Sequence, residues 1–237
     1  PDPKNDPDEY INFLLQIGEK LNHKGVLFPI RDIEVITTLK YRSKLEKFFH
    51  IPFADLTITE KLLNKKIFYK ILEDLKIEFP KTYFPKDFSE VEKISKNITY
   101  PCILKPYHSA VFFLDFKIKL FKAESKDQLV QYYKKAISRK HEVMVQEIIP
   151  GKARDMYGLN AYYDKTFTPN GIFMYRRIRE WPHEFGNGCY IEHVNEPELE
   201  QIVNRLIKKI DYYRVVDGEF RRDQRDGKFK IIEINPR

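Results

Sequence analysis

The C-terminal stretch of the chain, residues 214–235, reads as two β-strands joined near an Arg-Asp-Gly turn. A three-residue loop, 225–227, with glycine at the left-handed position, is a common hairpin connection. Counting back from that loop places Glu219 opposite Glu233. A two-residue Asp-Gly loop would instead place the two glutamates on opposite faces of the sheet. Because like charges directly opposite each other destabilise a sheet, the first register requires a compensating partner.

The polar side chains near the end of this hairpin favour a divalent cation as that partner. Glu233 and Asn235 lie two residues apart, so their side chains share one face of a strand. With Glu219 opposite, they form a set of oxygen ligands of the kind that magnesium takes. A solvent-exposed sheet face with lysines nearby fits the same residues, and the hairpin alone leaves both readings open.

The net charge narrows the class of partner. The chain of 237 residues carries a net charge of +7 and is 42% hydrophobic, enough for one large domain or two small ones. A basic protein favours nucleic acid, a membrane surface or nucleotide phosphates as partners. The lysines are spread along the chain, which is typical of a solvated surface and makes a nucleic-acid interface an unfavoured reading.

Hydropathy and cysteine usage predict a cytoplasmic protein. No apolar run approaches the ~20 residues of a membrane helix. Cys102 and Cys189 are far apart and match no metal-binding spacing. We therefore expect no membrane span and a reducing compartment.

Residue periodicity predicts a mixed α and β protein with a large antiparallel component. The predicted helices cover 9–22, 31–49, the first part of 62–83, 126–140 and the segment after Asn195. The predicted strands cover 25–30, 100–106, two short pieces of 111–123, 142–151, 157–164, 171–180 and the C-terminal hairpin.

Four segments, in chain order, resemble the ATP-grasp superfamily: NKKIFYKILEDLKIEFPKT, YPCILKP, VQEIIPG and GEFRRDQRDGKFKIIEINPR. A fifth, MYRRIREWPHEFGNG, resembles the subgroup of predicted carboxylate–amine ligases, which includes enzymes like D-aspartate ligase. The resemblance implies an α+β fold in which two lobes hold ATP between antiparallel sheets. It implies part of a pre-ATP-grasp α/β domain at 1–60, a linker helix and N-terminal lobe at 61–146, and an apparently truncated C-terminal lobe at 147–237.

The resemblance also implies roles for single residues, with ATP and Mg²⁺ (or Mn²⁺) as cofactors. Two lysines would contact phosphates and four residues would surround the adenine and ribose: Lys65, Lys105, Gln146, Glu147, Ile149 and Asp155. Three residues would hold the metal ion: Glu219, Glu233 and Asn235. Three arginines would contact the γ-phosphate or the substrate carboxylate during catalysis: Arg177, Arg179 and Arg237.

The sequence departs from the family pattern in two places. Segment 106–116, where many members have a glycine-rich phosphate loop, contains no glycine, although His108 there offers a donor to a phosphate. Ala153 stands where an acidic residue often contacts the ribose, which is why Asp155 takes that role here.

The resulting prediction is an ATP-dependent ligase that joins a carboxylate to an amine. The reaction would pass through an acyl phosphate and release ADP and phosphate, with amino acids among the candidate substrates and a homodimer as a possible assembly. A catalytically degenerate nucleotide-binding regulatory domain is the alternative.

Overall fold

A computed structural model describes residues 1–107 and 109–236 of the chain. The N-terminal part is mainly helical around a two-stranded parallel sheet. Its elements are α1 (Pro7–Glu19), β1 (Gly25–Val26), α2 (Asp32–Lys40), α3 (Arg42–Leu45) and β2 (Phe49–His50). Buried residues such as Ile11, Val35 and Phe53 form a separate hydrophobic cluster in this part.

A four-stranded antiparallel sheet forms the middle of the molecule, in the strand order β3-β6-β4-β5. Two helices lead into it, α4 (Leu56–Leu63) and α5 (Lys65–Asp74). Its strands are β3 (Thr82–Tyr83), β4 (Cys102–Pro106), β5 (Phe121–Ala123) and β6 (Val143–Glu147). The associated helices are α6 (Phe88–Asn97), α7 (Ser109–Phe116) and α8 (Lys126–Ser138).

The C-terminal part is a five-stranded antiparallel sheet in the order β11-β10-β7-β8-β9. One turn of 3₁₀ helix at 153–155 precedes it. Its elements are β7 (Met156–Tyr163), β8 (Pro169–Trp181), β9 (Asn187–His193), α9 (Pro197–Ile210), β10 (Arg214–Arg222) and β11 (Phe229–Asn235).

The two faces of this C-terminal sheet differ in burial. Alternate residues of β10, among them Val216 and Phe220, are fully buried and pack with the apolar stripe of α9. Residues between them, such as Asp217 and Glu219, are half-buried. Because successive side chains of a strand alternate between faces, one face forms the core and the other remains open. Helices α4 and α5 contribute to this same core rather than to that of the four-stranded sheet.

Helix α9 begins and ends as local sequence rules require. Pro197 occupies its first turn, where the missing N–H costs nothing. Asp211 ends the helix in the left-handed conformation at φ 58°. The expected cap at Asn195 is wrong by one residue, since Glu196 occupies the capping position without a side-chain hydrogen bond.

Several secondary-structure predictions are wrong. Segment 111–123 was expected to form two strands, but its first half belongs to helix α7 and only β5 is extended. A short apolar run does not distinguish a buried strand from a helix. Segment 31–49 divides into α2, α3 and the start of β2 instead of one helix, and β9 was not expected.

The hairpin pairs the predicted residues, but through a different turn. Asp223 N–H donates to Lys228 O at 2.8 Å, which leaves four residues, 224–227, in the turn instead of three. The register then shifts by one between Glu219 and Phe220, where an extra residue, Ile232, forms a β-bulge. The shift restores the pairing of Glu219 with Glu233, so that prediction is confirmed and the three-residue loop is wrong.

None of the helices in the described parts of the chain is long and apolar enough to cross a membrane. The domain boundaries at 60/61 and 146/147 stay predictions.

Candidate active site

Two lysines from different elements meet at one carboxylate between the two larger sheets. Lys65 is the first residue of α5, whose start is capped by the side chain of Asn64. Lys105 lies on β4 of the four-stranded sheet. Their Nζ atoms lie 3.1 and 2.9 Å from the two carboxylate oxygens of Glu233, on β11 of the other sheet. The side chains of Lys65 and Lys105 are only 14% and 16% exposed, so the ion pairs are largely shielded from water.

Burial and charge compete in setting the pKa values of these three groups. Burial prevails at Lys65 and lowers its pKa, although the charge of Glu233 acts in the opposite direction. Burial is also the largest single influence on Lys105 and acts to lower its pKa, but the charge and hydrogen bond of Glu233, with the charges of other nearby groups, together outweigh it and raise that pKa. Burial alone would raise the pKa of Glu233, yet the two lysines hold it well below its usual range. The carboxylate is therefore ionised at neutral pH and neutralises part of the lysine charge.

Glu219, the other glutamate of the hairpin, pairs with an arginine instead of lysines. Arg177 Nη2 donates to Glu219 Oε1 at 2.7 Å, and its Nη1 donates to Gly186 O at 3.1 Å. The Arg177 side chain is 8% exposed. It connects the metal-ligand candidate Glu219 to the turn between β8 and β9.

The expectation that Arg177 and Arg179 share one face of a regular strand is wrong. The β8–β9 register shifts between them, which places a bulge at Ile178. As a result Arg177 is buried beside Glu219, whereas Arg179 is exposed. The structure brings only the first of the two arginines into the cluster.

Asp217 joins the cluster from the next open-face position of β10. It pairs with Asn235, whose Nδ2 donates to Asp217 Oδ2 at 3.3 Å. Burial, and after it the nearby charge of Glu219, raise the pKa of Asp217 to about 6. No role for Asp217 was predicted from the sequence.

The oxygen atoms at this end of the hairpin suit a hard cation in type, but the protein's own cations contact two of the side chains. Glu219, Glu233 and Asn235 offer oxygen ligands, and magnesium usually completes its shell with waters and phosphates. Glu219 and Glu233 contact an arginine and two lysines, respectively. Across residues 1–107 and 109–236, no group of three or more His, Cys, Asp or Glu is placed to hold a metal ion. The metal site stays a prediction that would need these ion pairs to exchange.

The expected adenine-binding segment lies at the end of β6, with its side chains already engaged. Gln146 Nε2 donates to Tyr69 Oη at 2.7 Å and to Thr82 Oγ1 at 2.8 Å. Glu147 accepts from Lys81 N–H at 2.8 Å and pairs with Arg225 at 3.1 Å. The side chains of Gln146 and Glu147 would therefore have to give up these partners before they could contact a base.

Ile149 and Asp155 flank the turn that follows β6. Ile149 is buried. Asp155 Oδ2 accepts from Lys152 N–H at 2.6 Å and from Gln224 Nε2 at 2.8 Å. A Cβ at Gly151, whose φ is 141°, would lie 2.6 Å from the same oxygen, so the turn requires glycine there.

Comparisons with known proteins agree with this architecture. No family model matches the chain. D-aspartate ligase from Enterococcus faecium (strain Aus0004) is 27% identical over 210 residues, which cover 84% of this chain and 49% of that protein. The chain thus spans about half the length of this curated relative.

The solved structures provide the decisive comparison. An L-amino acid ligase from Bacillus licheniformis matches with a TM-score of 0.70 and 16% identity, over 99% of this chain and 54% of that one. The D-alanine–D-alanine ligase from Bacillus anthracis matches with a TM-score of 0.63 and 15% identity, over 98% of this chain and 73% of that one. The chain has the ATP-grasp fold.

The ATP-grasp resemblance is thus confirmed, and the sequence relative agrees with the D-aspartate-ligase-like subgroup. In the ATP-grasp architecture, the predicted residues Lys65, Lys105, Glu219, Glu233 and Asn235 come together with Arg177 in one cluster. Their roles in binding and catalysis stay predictions.

Two predicted contacts fall on residues that the structure does not describe. Arg237, the expected γ-phosphate contact, and His108 lie outside the described residues. In place of the glycine-rich loop of many ATP-grasp proteins, helix α7 begins at Ser109, directly after His108.

Proposed function

We propose that this chain is the nucleotide-binding part of an ATP-dependent ligase that joins a carboxylate to an amine. ATP would phosphorylate the carboxylate to an acyl phosphate, and attack by the amine would give the amide and release phosphate, with ADP as the other product. The substrates would be small molecules, with amino acids as the first candidates. The relatives named D-aspartate ligase and L-amino acid ligase support this class.

The observation that carries the proposal is the convergence of Lys65 and Lys105 on Glu233. Two shielded ammonium groups that meet between the two sheets would form a site for phosphate oxygens, because each binds an anion as a point charge. The carboxylate of Glu233 contacts both lysines. Binding of ATP would replace that carboxylate with phosphate oxygens and leave Glu233 available as a ligand.

Glu219, Glu233 and Asn235 would then hold Mg²⁺ or Mn²⁺. The bound ion would neutralise charge on the β- and γ-phosphates. The chain's own contribution is to place its three oxygen-bearing side chains on adjacent strands, where the β-bulge at Ile232 keeps the two glutamates opposite each other.

Arg177 and Arg237 would stabilise the negative charge that develops where the substrate carboxylate meets the γ-phosphate. A guanidinium fixed in advance stabilises such a transition state more than the bound ATP. The two hydrogen bonds of Arg177 fix its orientation beside Glu219. Arg179 is exposed and would serve only for initial capture of an anionic substrate.

The alternative, a nucleotide-binding regulatory domain without turnover, is favoured by one specific feature. Helix α7 stands where many family members have a flexible phosphate-covering loop.

The deciding experiment measures amino-acid-dependent ADP release by the protein across a broad screen of carboxylate and amine pairs. We expect release with one pair, and we expect Arg237→Ala to bind ATP nearly normally while losing about a hundredfold in rate, as ~3 kcal/mol for one such donor implies. Nucleotide binding without any release would reject the ligase and leave the regulatory reading.

A further inference from the structure

The open face of the five-stranded sheet carries a continuous row of side chains across all five strands. The strand registers pair Glu233 with Glu219, Glu219 with Gly158, Gly158 with Tyr175, and Tyr175 with His193. Residues paired across strands point to the same face. The row therefore begins at the candidate metal ligands and ends at aromatic residues.

A second row lies beside the first on the same face. It consists of Asn235, Asp217, Asn160 and Phe173, in register across four strands. Asn160 is exposed, and the ring of Phe173 is 43% exposed. The polar end of this row again lies on β11 and β10, and its aromatic end lies on β8.

The aromatic ends of the two rows form one surface, which we call the aromatic platform: Phe173, Tyr175 and His193. The rings of Phe173 and Tyr175 stack with centroids 5.9 Å apart and an angle of 28°. The rings of Phe173 and His193 lie 5.8 Å apart at 36°. The Phe173 and Tyr175 rings are stacked and the His193 ring is tilted against Phe173, so the three rings form one aromatic cluster on this face.

Gly158 connects the platform to the carboxylates. A Cβ at this position would lie 2.1 Å from Tyr175 Cζ, so the tyrosine ring covers the glycine and reaches across β7. The platform is therefore continuous with the candidate active site.

We propose that the aromatic platform binds a planar or apolar portion of one ligase substrate, whose reacting carboxylate or amine lies near Glu219. This inference rests on the proposed function. The ring of Tyr175 lies over Gly158, the partner of Glu219, whereas the backbones of Phe173 and His193 lie two and three strands away from β10. A substrate that contacts both Glu219 and these rings therefore extends beyond its reacting group.

The chemistry of the surface supports this class of substrate. Binding sites for organic molecules combine apolar and aromatic walls with a few placed polar groups. Here the rings provide the wall, and the exposed amide of Asn160 lies between the rings and the carboxylates. Aromatic groups prefer offset-stacked contact with such rings.

The test compares two dipeptide probes, glycyl-glycine and glycyl-phenylalanine, which share their reacting groups and differ by one aromatic side chain. Calorimetry with saturating Mg-ADP, and again without nucleotide, gives their affinities for the wild-type chain, Phe173→Ala and Phe13→Ala. Phe13 lies on α1 and is 46% exposed, so it is a matched control for loss of an exposed ring.

We expect the wild-type chain and Phe13→Ala to bind glycyl-phenylalanine about threefold to tenfold more tightly than glycyl-glycine, the range of one aromatic contact. Phe173→Ala should lose that preference and keep its affinity for ADP. If the wild type does not prefer glycyl-phenylalanine, or if Phe173→Ala keeps that preference, the proposed role of the aromatic platform is refuted. If Phe173→Ala does not fold, His193→Ala provides the same comparison.

The two proposals fail separately. Failure of the wild-type chain to bind ADP would remove the proposed function, while the measurements without nucleotide would still decide whether the platform selects an aromatic group. Normal ADP binding without a preference between the dipeptides would refute only the substrate-binding role of the aromatic platform.

Discussion

Replacing Glu233 by glutamine should destabilise the nucleotide-free protein while improving its affinity for metal-free ADP. The substitution preserves shape but removes the negative charge from between Lys65 and Lys105. Glu78 provides a matched control, because its two oxygens lie 3.0 Å from the Nζ atoms of Lys228 and Lys230.

The expected loss of stability follows from burial. Removing one partner of a buried ion pair costs about 3–5 kcal/mol, because the remaining charge is left uncompensated. Glu233 is 30% exposed, so we expect about 3 kcal/mol for Glu233→Gln. Glu78 is 46% exposed, and surface pairs contribute about 0–1 kcal/mol, so Glu78→Gln should change the free energy of unfolding much less.

The nucleotide response separates the site from a merely structural ion pair. In Glu233→Gln the phosphate oxygens of ADP no longer compete with a carboxylate for the two lysines. Without metal, ADP should therefore bind this variant about tenfold more tightly than the wild type, as ~1.4 kcal/mol implies. With magnesium the variant lacks a metal ligand, and its affinity for ADP should fall below that of the wild type. The sign of the effect thus depends on the metal ion.

Urea denaturation gives the free energy of unfolding, and calorimetry with and without magnesium gives ADP affinity, for the wild type, Glu233→Gln and Glu78→Gln. Equal stability losses in the two variants would refute the burial argument. A weaker affinity of Glu233→Gln for metal-free ADP would refute the view that Glu233 occupies the phosphate site.

Three further outcomes follow from the same residues. Lys105→Ala should weaken ADP binding at least about tenfold, since a charged hydrogen bond contributes ~1.5–3 kcal/mol. Unchanged ADP affinity in calorimetry would show that Lys105 does not contact the nucleotide. The folded-state pKa of Glu233 is depressed, so its stabilisation is complete above the unfolded pKa of about 4.3 and is lost as the pH falls toward the folded value. Wild-type stability should therefore fall more steeply in acid than that of Glu233→Gln, as pH-dependent urea denaturation would show. Gly158→Ala should lower the free energy of unfolding by about 1–3 kcal/mol, because its methyl group overlaps the ring of Tyr175; a thermal midpoint equal to that of the wild type would contradict this overlap.

The pairing of Glu219 with Glu233 shows how far the sequence can predict this site. Alternation of side chains and an expected three-residue loop placed the two glutamates opposite each other, which is the observed pairing. The actual turn has one more residue than expected, and the bulge at Ile232 compensates for it. The longer turn and the bulge shift the strand register in opposite directions, and the alternation of side chains in the sequence reveals neither of them.

Contacts between distant segments were less predictable. Lys65 and Glu233 are 168 residues apart in sequence, and only the packing of α5 against the five-stranded sheet brings them together. The bulge at Ile178 separates Arg177 from Arg179 although their spacing of two suggested a shared face. Strand β9 carries glycine and polar residues and lacks the apolar alternation that would have indicated it.

The bulge at Ile232 also makes the geometry of the cluster tolerant of changes in the hairpin turn. Glu219 is held in register from its other side by Gly158 on β7, independently of the turn. Deleting one turn residue would leave a three-residue loop with the same Asp223–Lys228 closing pair and the bulge kept, or a two-residue loop with the bulge closed, and Glu219 and Glu233 stay opposite each other in both cases. The turn is thus a place where the length of the chain can drift during evolution, or be altered by engineering, without moving the carboxylates.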